Sequence, residues 1–491
     1  MPPSDRRPNT SAPNNPVPSA DASARSRTRH ARSSHASAAS SPTTNRRATA
    51  RPVAGIFSPQ RPILKLGTHG YTPSVLHKIV TAAGEVKSHK VAAAVLKVVG
   101  EIAISGRHVN RLTEEIGLEL AAKRDRETDD YVHHRREEPQ TPAPERVAIA
   151  LDGGRLMTRE SGRGPGVHGE GWKEDKVACL LTLDGKTVAE DPHPEPPRCF
   201  LDAPRVDELV REIQSNHGRR AENELPQLAD LRLGNQALGA FPSAAGDTTS
   251  DEAVKDRTWP PKRTKDARTC VATMQDCHEF GKMVATEAYR RNFHAATHGV
   301  LLGDGSAWIW AQHAKWFKDL TPVVDFVHAL TYLYVTATVL APSVPERWQW
   351  YVSWMTALWQ GRVHEVIADL ESRQQVLEPL PSDSGLSPTD PREVTRRTLT
   401  YLGNNAERMK YPEYRKVGLP VSSSPVESLI KELNYRVKGT EKFWDNPEGA
   451  EAILQVRAAL LSDDDRLAEH IANRPGTPFR RSTTKEIGQA A

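Results

Sequence analysis

The chain has 491 residues, enough for two to four folded units, but only 37% of them are apolar, so part of it is expected to stay disordered. A net charge of +4 is mild, and four irregularly spaced cysteines (Cys179, Cys199, Cys270 and Cys277) exclude a disulfide framework and a Cys-x-x-Cys zinc knuckle. The apolar runs fall far short of the ~20 residues of a membrane span and none follows Met1 as a secretory segment, which points to a reducing cytoplasm.

Residues 1–60 are Ser, Ala, Pro, Thr and Arg, with nine Arg, two Asp and no Lys. Such a segment buries too little apolar surface to order itself and is expected to be disordered. It reads equally as a solvated tail and as an arm that binds a polyanion without sequence specificity. Asp5 and the early prolines argue against a transit peptide. Residues 61–140 read as helices over Ser74–Ala83, His89–Ala103 and Ser105–Ala122, then a charged, Pro-rich linker from Lys123 to Glu145. In the third helix Val109, Leu112, Ile116 and Leu120 share one face, while Arg107, His108, Asn110 and Arg111 lie on the exposed side of the first turns. A helix-turn-helix recognition helix has that layout; so do many plain packing helices.

From Arg146 strands and helices alternate. Strands are expected over Val147–Leu151, Lys176–Leu183, Arg268–Met274, Gly299–Leu302 and Pro322–Asp325, and helices over Asp276–Asn292 and Ser306–Phe317. Residues 202–262 are polar and Pro/Gly-rich and read as a loop or irregular insertion. Three strands, helix, strand, helix, strand is the order of a ribonuclease-H-like core. Residues 326–371 turn helical and aromatic, with helices over Phe326–Leu340 and Glu346–Trp359, then a Pro/Ser/Asp loop over 372–391 and a further helix over Arg392–Met409; the Trp residues read first as core, with base stacking as the lesser reading. A last helix starts at Ser424-Pro425 and ends near Lys438, and beyond Asp463 the chain is expected to be a flexible tail.

The chemistry is carried by carboxylates. VAIALDGGR, residues 147–155, is an apolar run that ends in Asp152 and breaks on Gly153-Gly154. HGVLLGDGSAW, residues 298–308, repeats the pattern with Asp304. A carboxylate ending an apolar strand needs an offset for its burial, and two aimed at one place suggest a divalent cation with hard oxygen ligands. Each Asp alone also reads as a turn or cap residue. The late helix adds Glu427, followed on the same polar face by Lys431, Asn434 and Lys438, while Val426, Leu429, Ile430, Leu433 and Val437 form the packing face. A metal ligand beside phosphate-binding lysines would look like this. Ser424-x-x-Glu427 is equally a capping box, with Pro425 at the favoured first helical position.

LDGGR at 151–155, RTCVATM at 268–274, LLGDGSAWIW at 301–310, DFVHAL at 325–330 and SPVES at 424–428 resemble bacterial insertion-sequence transposases of the ISKra group, relatives of the Mutator-like elements. The segment 104–125 is similar to that family's upstream helices, and the resemblance spans roughly residues 65–460. It implies an α/β fold: a ribonuclease-H-like mixed-sheet core (145–325 and 421–462), interrupted by an all-α insertion (326–420) and preceded by a DNA-binding helical region. It implies a DDE triad of Asp152, Asp304 and Glu427 holding two Mg²⁺ ions, with Mn²⁺ as a substitute. Asp325 and His328 match an Asp-x-x-His element with an accessory role; the plain alternative is a helix cap and a satisfied histidine. The implied partners are double-stranded DNA and further copies of the chain on it, in the nucleoid and not at a membrane. A nuclease on the same core and a DNA-binding regulator with a dead core remain the competing functions. Relaxase chemistry is disfavoured, since His133 and His134 are adjacent without the intervening residue and leave Tyr131 incidental. Cys270, Cys277 and His278 lack the spacing of a zinc site.

Overall fold

The structure is a computed structural model that describes residues 56–57, 59–158, 172–217, 225–231, 262–377, 386–438, 444, 446–477 and 479–480. The expected N-terminal tail and the latter part of the 202–262 stretch lie almost wholly outside these residues. The fold is mixed α/β around one five-stranded sheet. Its strands are β1 (Arg146–Met157), β2 (Trp172–Asp184), β3 (Lys262–Thr273), β4 (His298–Gly303) and β5 (Thr321–Val324), arranged 3-2-1-4-5. β1, β2 and β3 pair antiparallel, whereas β4 runs parallel to β1 and β5 parallel to β4.

The central strand β1 is apolar on both faces because both are covered. Ala148 and Ala150 join one core with Val177, Cys179, Val300 and Leu302. Val147, Ile149 and Leu151 join another with Leu180, Leu301 and Phe280. Cys179 and Cys270 face each other across β2 and β3, both buried, so core packing accounts for Cys270.

The N-terminal helices are α1 (Pro73–Glu85), α2 (His89–Val99) and α3 (Gly106–Val132). Ser105 caps α3, its hydroxyl accepting the His108 N–H at 3.2 Å. The expected apolar face is buried at Val109, Leu112 and Ile116. α3 does not stop at Ala122; it runs 27 residues, about 40 Å, through the first half of the expected linker. Thr128 remains buried along this extension, and the Tyr131 ring packs 5.3 Å from that of Tyr289. Polar pairs such as Lys123–Glu127 line its outer side and make it read as linker.

Two expected irregular segments are ordered elements. α4 (Ala203–His217) opens the 202–262 stretch and buries Val206, Val210 and Ile213 at helical spacing. At the chain end, the supposed flexible tail begins with a helix after Asp463. α13 (Pro447–Leu461) runs against α3, and α14 (Arg466–Asn473) buries Leu467 and Ile471 among Leu76, Ile79 and Leu112. Arg474 then bonds both Glu115 and Glu119 at 2.6 Å. Gly117 allows α3 and α13 to cross closely, since a Cβ there would sit 2.1 Å from the Ala452 carbonyl oxygen.

Between these lie α5 (Cys277–Arg290) and α6 (Ala307–Trp316), then the helical insertion. It comprises α7 (Phe326–Leu340), α8 (Val344–Trp359), α9 (Val363–Val376), α10 (Pro391–Asn405) and α11 (Tyr411–Lys416). Its aromatics are core, as the plain reading had it. Trp354 and Trp359 are buried, and their indole N–H groups donate to Asp369 at 2.6 Å and to the His193 carbonyl at 2.8 Å. α12 (Ser424–Val437) follows and buries Leu429, Ile430, Leu433 and Val437 in the core of the Ala148/Ala150 face.

Candidate functional site

Asp152 does not end its strand, and the glycines after it do not break it. β1 loses its parallel partner after Ala150↔Leu302 but stays paired to β2 as far as Met157↔Trp172. Gly154 lies opposite Asp175, where a Cβ would stand 2.8 Å from the Asp175 carboxylate. The glycines therefore serve close approach rather than a turn. Asp152 is half-buried, and its Oδ1 accepts the Gly153 N–H at 2.7 Å.

The second acid comes from the neighbouring parallel strand. Two residues beyond the last pair Ala150↔Leu302 come Asp152, still within β1, and Asp304, one residue past the end of β4. Side chains alternate with period two. Asp152 therefore follows Ala148 and Ala150 to the core face that carries α12, while Asp304 leaves β4 in the bend before α6. Asp304 is half-buried, with Oδ1 accepting the Ser306 N–H at 2.8 Å in a tight turn before α6. The turn is held from the insertion: the Tyr401 hydroxyl donates to the Asp304 carbonyl at 2.9 Å. Burial, then Tyr332 and Tyr411 and the Asp304 and Asp325 carboxylates, push the Tyr401 phenol well above its ordinary pKa.

Asp325, at the end of β5, is fully buried and has two tasks. Its Oδ1 caps α7, accepting the Val327 N–H at 2.6 Å and the His328 N–H at 3.0 Å. Its Oδ2 accepts the Ser423 N–H and the Ser422 hydroxyl, the latter at 3.4 Å. The cap reading holds, and the same carboxylate ties down the entry to α12. The Tyr411 hydroxyl on the Val324 carbonyl (3.1 Å) and the Phe326 N–H on the Val421 carbonyl (2.9 Å) brace the same junction. His328 is buried directly after this cap.

Glu427 sits in the first turn of α12, about 6 Å along the axis from Ser423. The N-cap is Ser423, not Ser424, which makes Glu427 the fourth helical residue. A capping box puts its acid at the third. The Glu427 side chain itself lies outside the described residues. Among the described residues no three metal-ligating side chains form a group. The donor chemistry of the two aspartates nonetheless fits a hard cation, since both offer carboxylate oxygens.

The cations expected around this site differ in placement. Lys431 pairs with Glu212 of α4 at 2.5 Å, and Lys438 is half-buried at the end of α12. Arg107 and Arg111 are exposed. Asn110 donates to Glu114 at 2.9 Å, and His108 lies 3.1 Å from an Arg111 nitrogen. Burial, then Arg111, lowers the His108 pKa.

Sequence reading missed Tyr401 and the tie from Asp325 to Ser423, because both contacts join residues 97 and 98 positions apart with no shared motif. No described helix is long and apolar enough to cross a membrane. No protein-family model matches the chain, and no curated protein matches it.

Proposed function

We propose that the chain is a DDE transposase, a ribonuclease-H-like enzyme that cleaves DNA at the ends of an insertion sequence and joins those ends to target DNA. One observation carries the reading. Asp152 and Asp304 each follow, by two residues, the last pair Ala150↔Leu302 of adjacent parallel strands in a 3-2-1-4-5 sheet, and the helix that carries Glu427 packs on the Ala148/Ala150 face and is tied at its start to Asp325. Asp152, Asp304 and Glu427 are the residues that would hold Mg²⁺, or Mn²⁺ in its place. Bound divalent ions supply charge neutralisation for in-line displacement at phosphorus. The chain holds the backbone of Asp152 by its pairing in β1 and that of Asp304 by its turn, and Asp325 ties down the start of the helix that carries Glu427. Arg107 and Arg111 would meet DNA phosphates, with affinity that falls steeply as salt rises. Further copies of the chain would assemble on the two element ends.

The test incubates the full chain with labelled element ends, plasmid and Mg²⁺, and scores cleavage and joining separately. Asp152→Asn and Asp304→Asn should each cut cleavage by roughly 10³-fold, the scale of losing one group that offsets transition-state charge, while DNA binding persists. Full activity in either variant overturns the reading. Cleavage without joining reduces it to a nuclease on the same core.

A further inference from the structure

We propose that Tyr401 of the helical insertion is a positioning residue for Asp304, and that through it the insertion sets the affinity of the acidic site for divalent metal. The inference rests on the reading of Asp304 as a metal ligand. Asp304 lies one residue past the end of β4, so the strand ladder no longer holds its backbone. Three contacts from elsewhere hold it instead. The Tyr401 hydroxyl donates to the Asp304 carbonyl at 2.9 Å. The Trp310 indole N–H lies 3.2 Å from the Gly305 carbonyl and 3.0 Å from Asn405 Oδ1, which binds the turn to α6 and α10 together. The Tyr401 ring lies so close over Gly305 that a Cβ there would come within 2.5 Å of it. Gly305 has φ +101°, a conformation that favours glycine, so the backbone can bend under the ring.

The clamp is itself rigid. Tyr401 stacks on Tyr332 of α7 with ring centroids 3.8 Å apart and planes 6° from parallel. Asn405 is buried, and Arg408 lies over the Trp310 ring at 4.6 Å. Two insertion helices thus grip a turn of the sheet at the residue after which a ligand must be aimed. A carboxylate whose backbone is fixed loses less freedom when it takes a cation, so partners behind a ligand govern metal affinity. The plain alternative is that Tyr401 only glues the insertion to the core. That role would change stability without changing metal affinity.

The experiment measures Mn²⁺ binding to the full chain by titration calorimetry, and the Mg²⁺ concentration for half-maximal cleavage, in wild type, Tyr401→Phe, Trp310→Phe and Asp304→Asn. Tyr401→Phe keeps the stacked ring and removes only the hydroxyl. It should weaken Mn²⁺ binding roughly 10-fold and raise the half-maximal Mg²⁺ concentration in step, with the rate recovering at saturating Mg²⁺. Trp310→Phe should move both in the same direction by less, and carries the test if Tyr401→Phe does not fold. If Asp304→Asn loses Mn²⁺ while the clamp variants bind it as wild type does, the inference is overturned and the site reading stands. If Asp304→Asn binds Mn²⁺ normally, the site reading falls and the inference with it.

Discussion

The two helical parts of the molecule are built from opposite materials. The insertion packs through large rings, with Phe326, Tyr334, Tyr351, Trp359 and Tyr411 all buried. The N-terminal helices bury no aromatic ring; their core is Leu76, Ile79, Val80, Ala92, Leu96, Val109, Leu112 and Ile116. The insertion's rings interlock in fixed orientations, Phe326 meeting both Trp359 and Tyr411 edge to face, and such geometry allows few alternative packings. The N-terminal helices meet α13 closely over Gly84 and Gly117 and share an apolar core with Val456, Ala459, Leu467 and Ile471, and polar ties add to it: Arg436 to His89, and Arg474 to Glu115 and Glu119. The difference teaches which attachment can be released. A ring-packed insertion suits a permanent clamp on Asp304, whereas ionic ties can respond to pH.

The comparison breaks most severely at Trp359. Trp359→Ala empties the centre of the insertion and strands the His193 carbonyl that its indole served. It should cost about 3–5 kcal/mol in urea unfolding. A loss below 1 kcal/mol would mean the rings are not what holds the insertion.

Next in size is the ionic cluster under α5 and α14. Burial alone would raise the Glu287 pKa, but Arg466 and Arg290 outweigh it and hold the carboxyl at about 2 against an ordinary 4.5. Its folded value is depressed, so the cluster's stabilisation is complete above about pH 4.5 and is lost as pH falls toward 2. Arg466→Ala leaves a half-paired buried acid and should cost about 3 kcal/mol at pH 7. Because the variant has already lost the pairing, its stability should converge on that of the wild type in acid. Parallel stability curves from pH 7 to 3 would show that the cluster is not titrating.

The smallest effect sharpens the contrast. Burial, then Arg436, lowers His89 to about pKa 4 from 6.5. Neutral His89 faces Arg436 at 2.9 Å, and Arg436 donates at 2.6 Å to the Ala83 carbonyl, so one side chain of α12 holds both α1 and α2. The stabilisation from neutral His89 is present above pH 6.5 and lost as pH falls toward 4. The loss should reach about 1 kcal/mol by pH 5, allowing for solvent screening. Hydrogen exchange should then speed up in residues 73–99 before it does in 326–359. Of the tryptophans, Trp444, whose ring lies 6.5 Å from that of His89, should respond first, while Trp348, Trp350, Trp354 and Trp359 of the insertion hold steady, which single Trp→Phe variants resolve. Simultaneous loosening of both regions would erase the distinction.

Much of the fold was legible locally. The apolar runs at 147–151 and 299–302 became the paired strands β1 and β4, and the helix over Phe326–Leu340 has the expected bounds. Where local reading failed, polar residues concealed a buried stripe. Val206, Val210 and Ile213 stand in a stretch dominated by charge, and Leu467 and Ile471 lie between acids and arginines. Two or three apolar residues make a helix only when another surface covers them. Gly153-Gly154 was misread for the complementary reason: glycine marks a turn or a close approach, and only the presence of Asp175 across the ladder decides which.

The acids divide the same way. Sequence alone determined that Asp152 and Asp304 follow apolar runs and that Glu427 opens an amphipathic helix, because those properties depend on neighbours within a few residues. Only the tertiary structure decided that β1 and β4 run parallel, with their last pair Ala150↔Leu302 two residues before Asp152 and Asp304. It alone tied the start of α12 to Asp325 and set Tyr401 on the Asp304 carbonyl. Those contacts join residues far apart in the chain, and the chain meets itself there only because the sheet and the ring-packed insertion bury their apolar surfaces against each other.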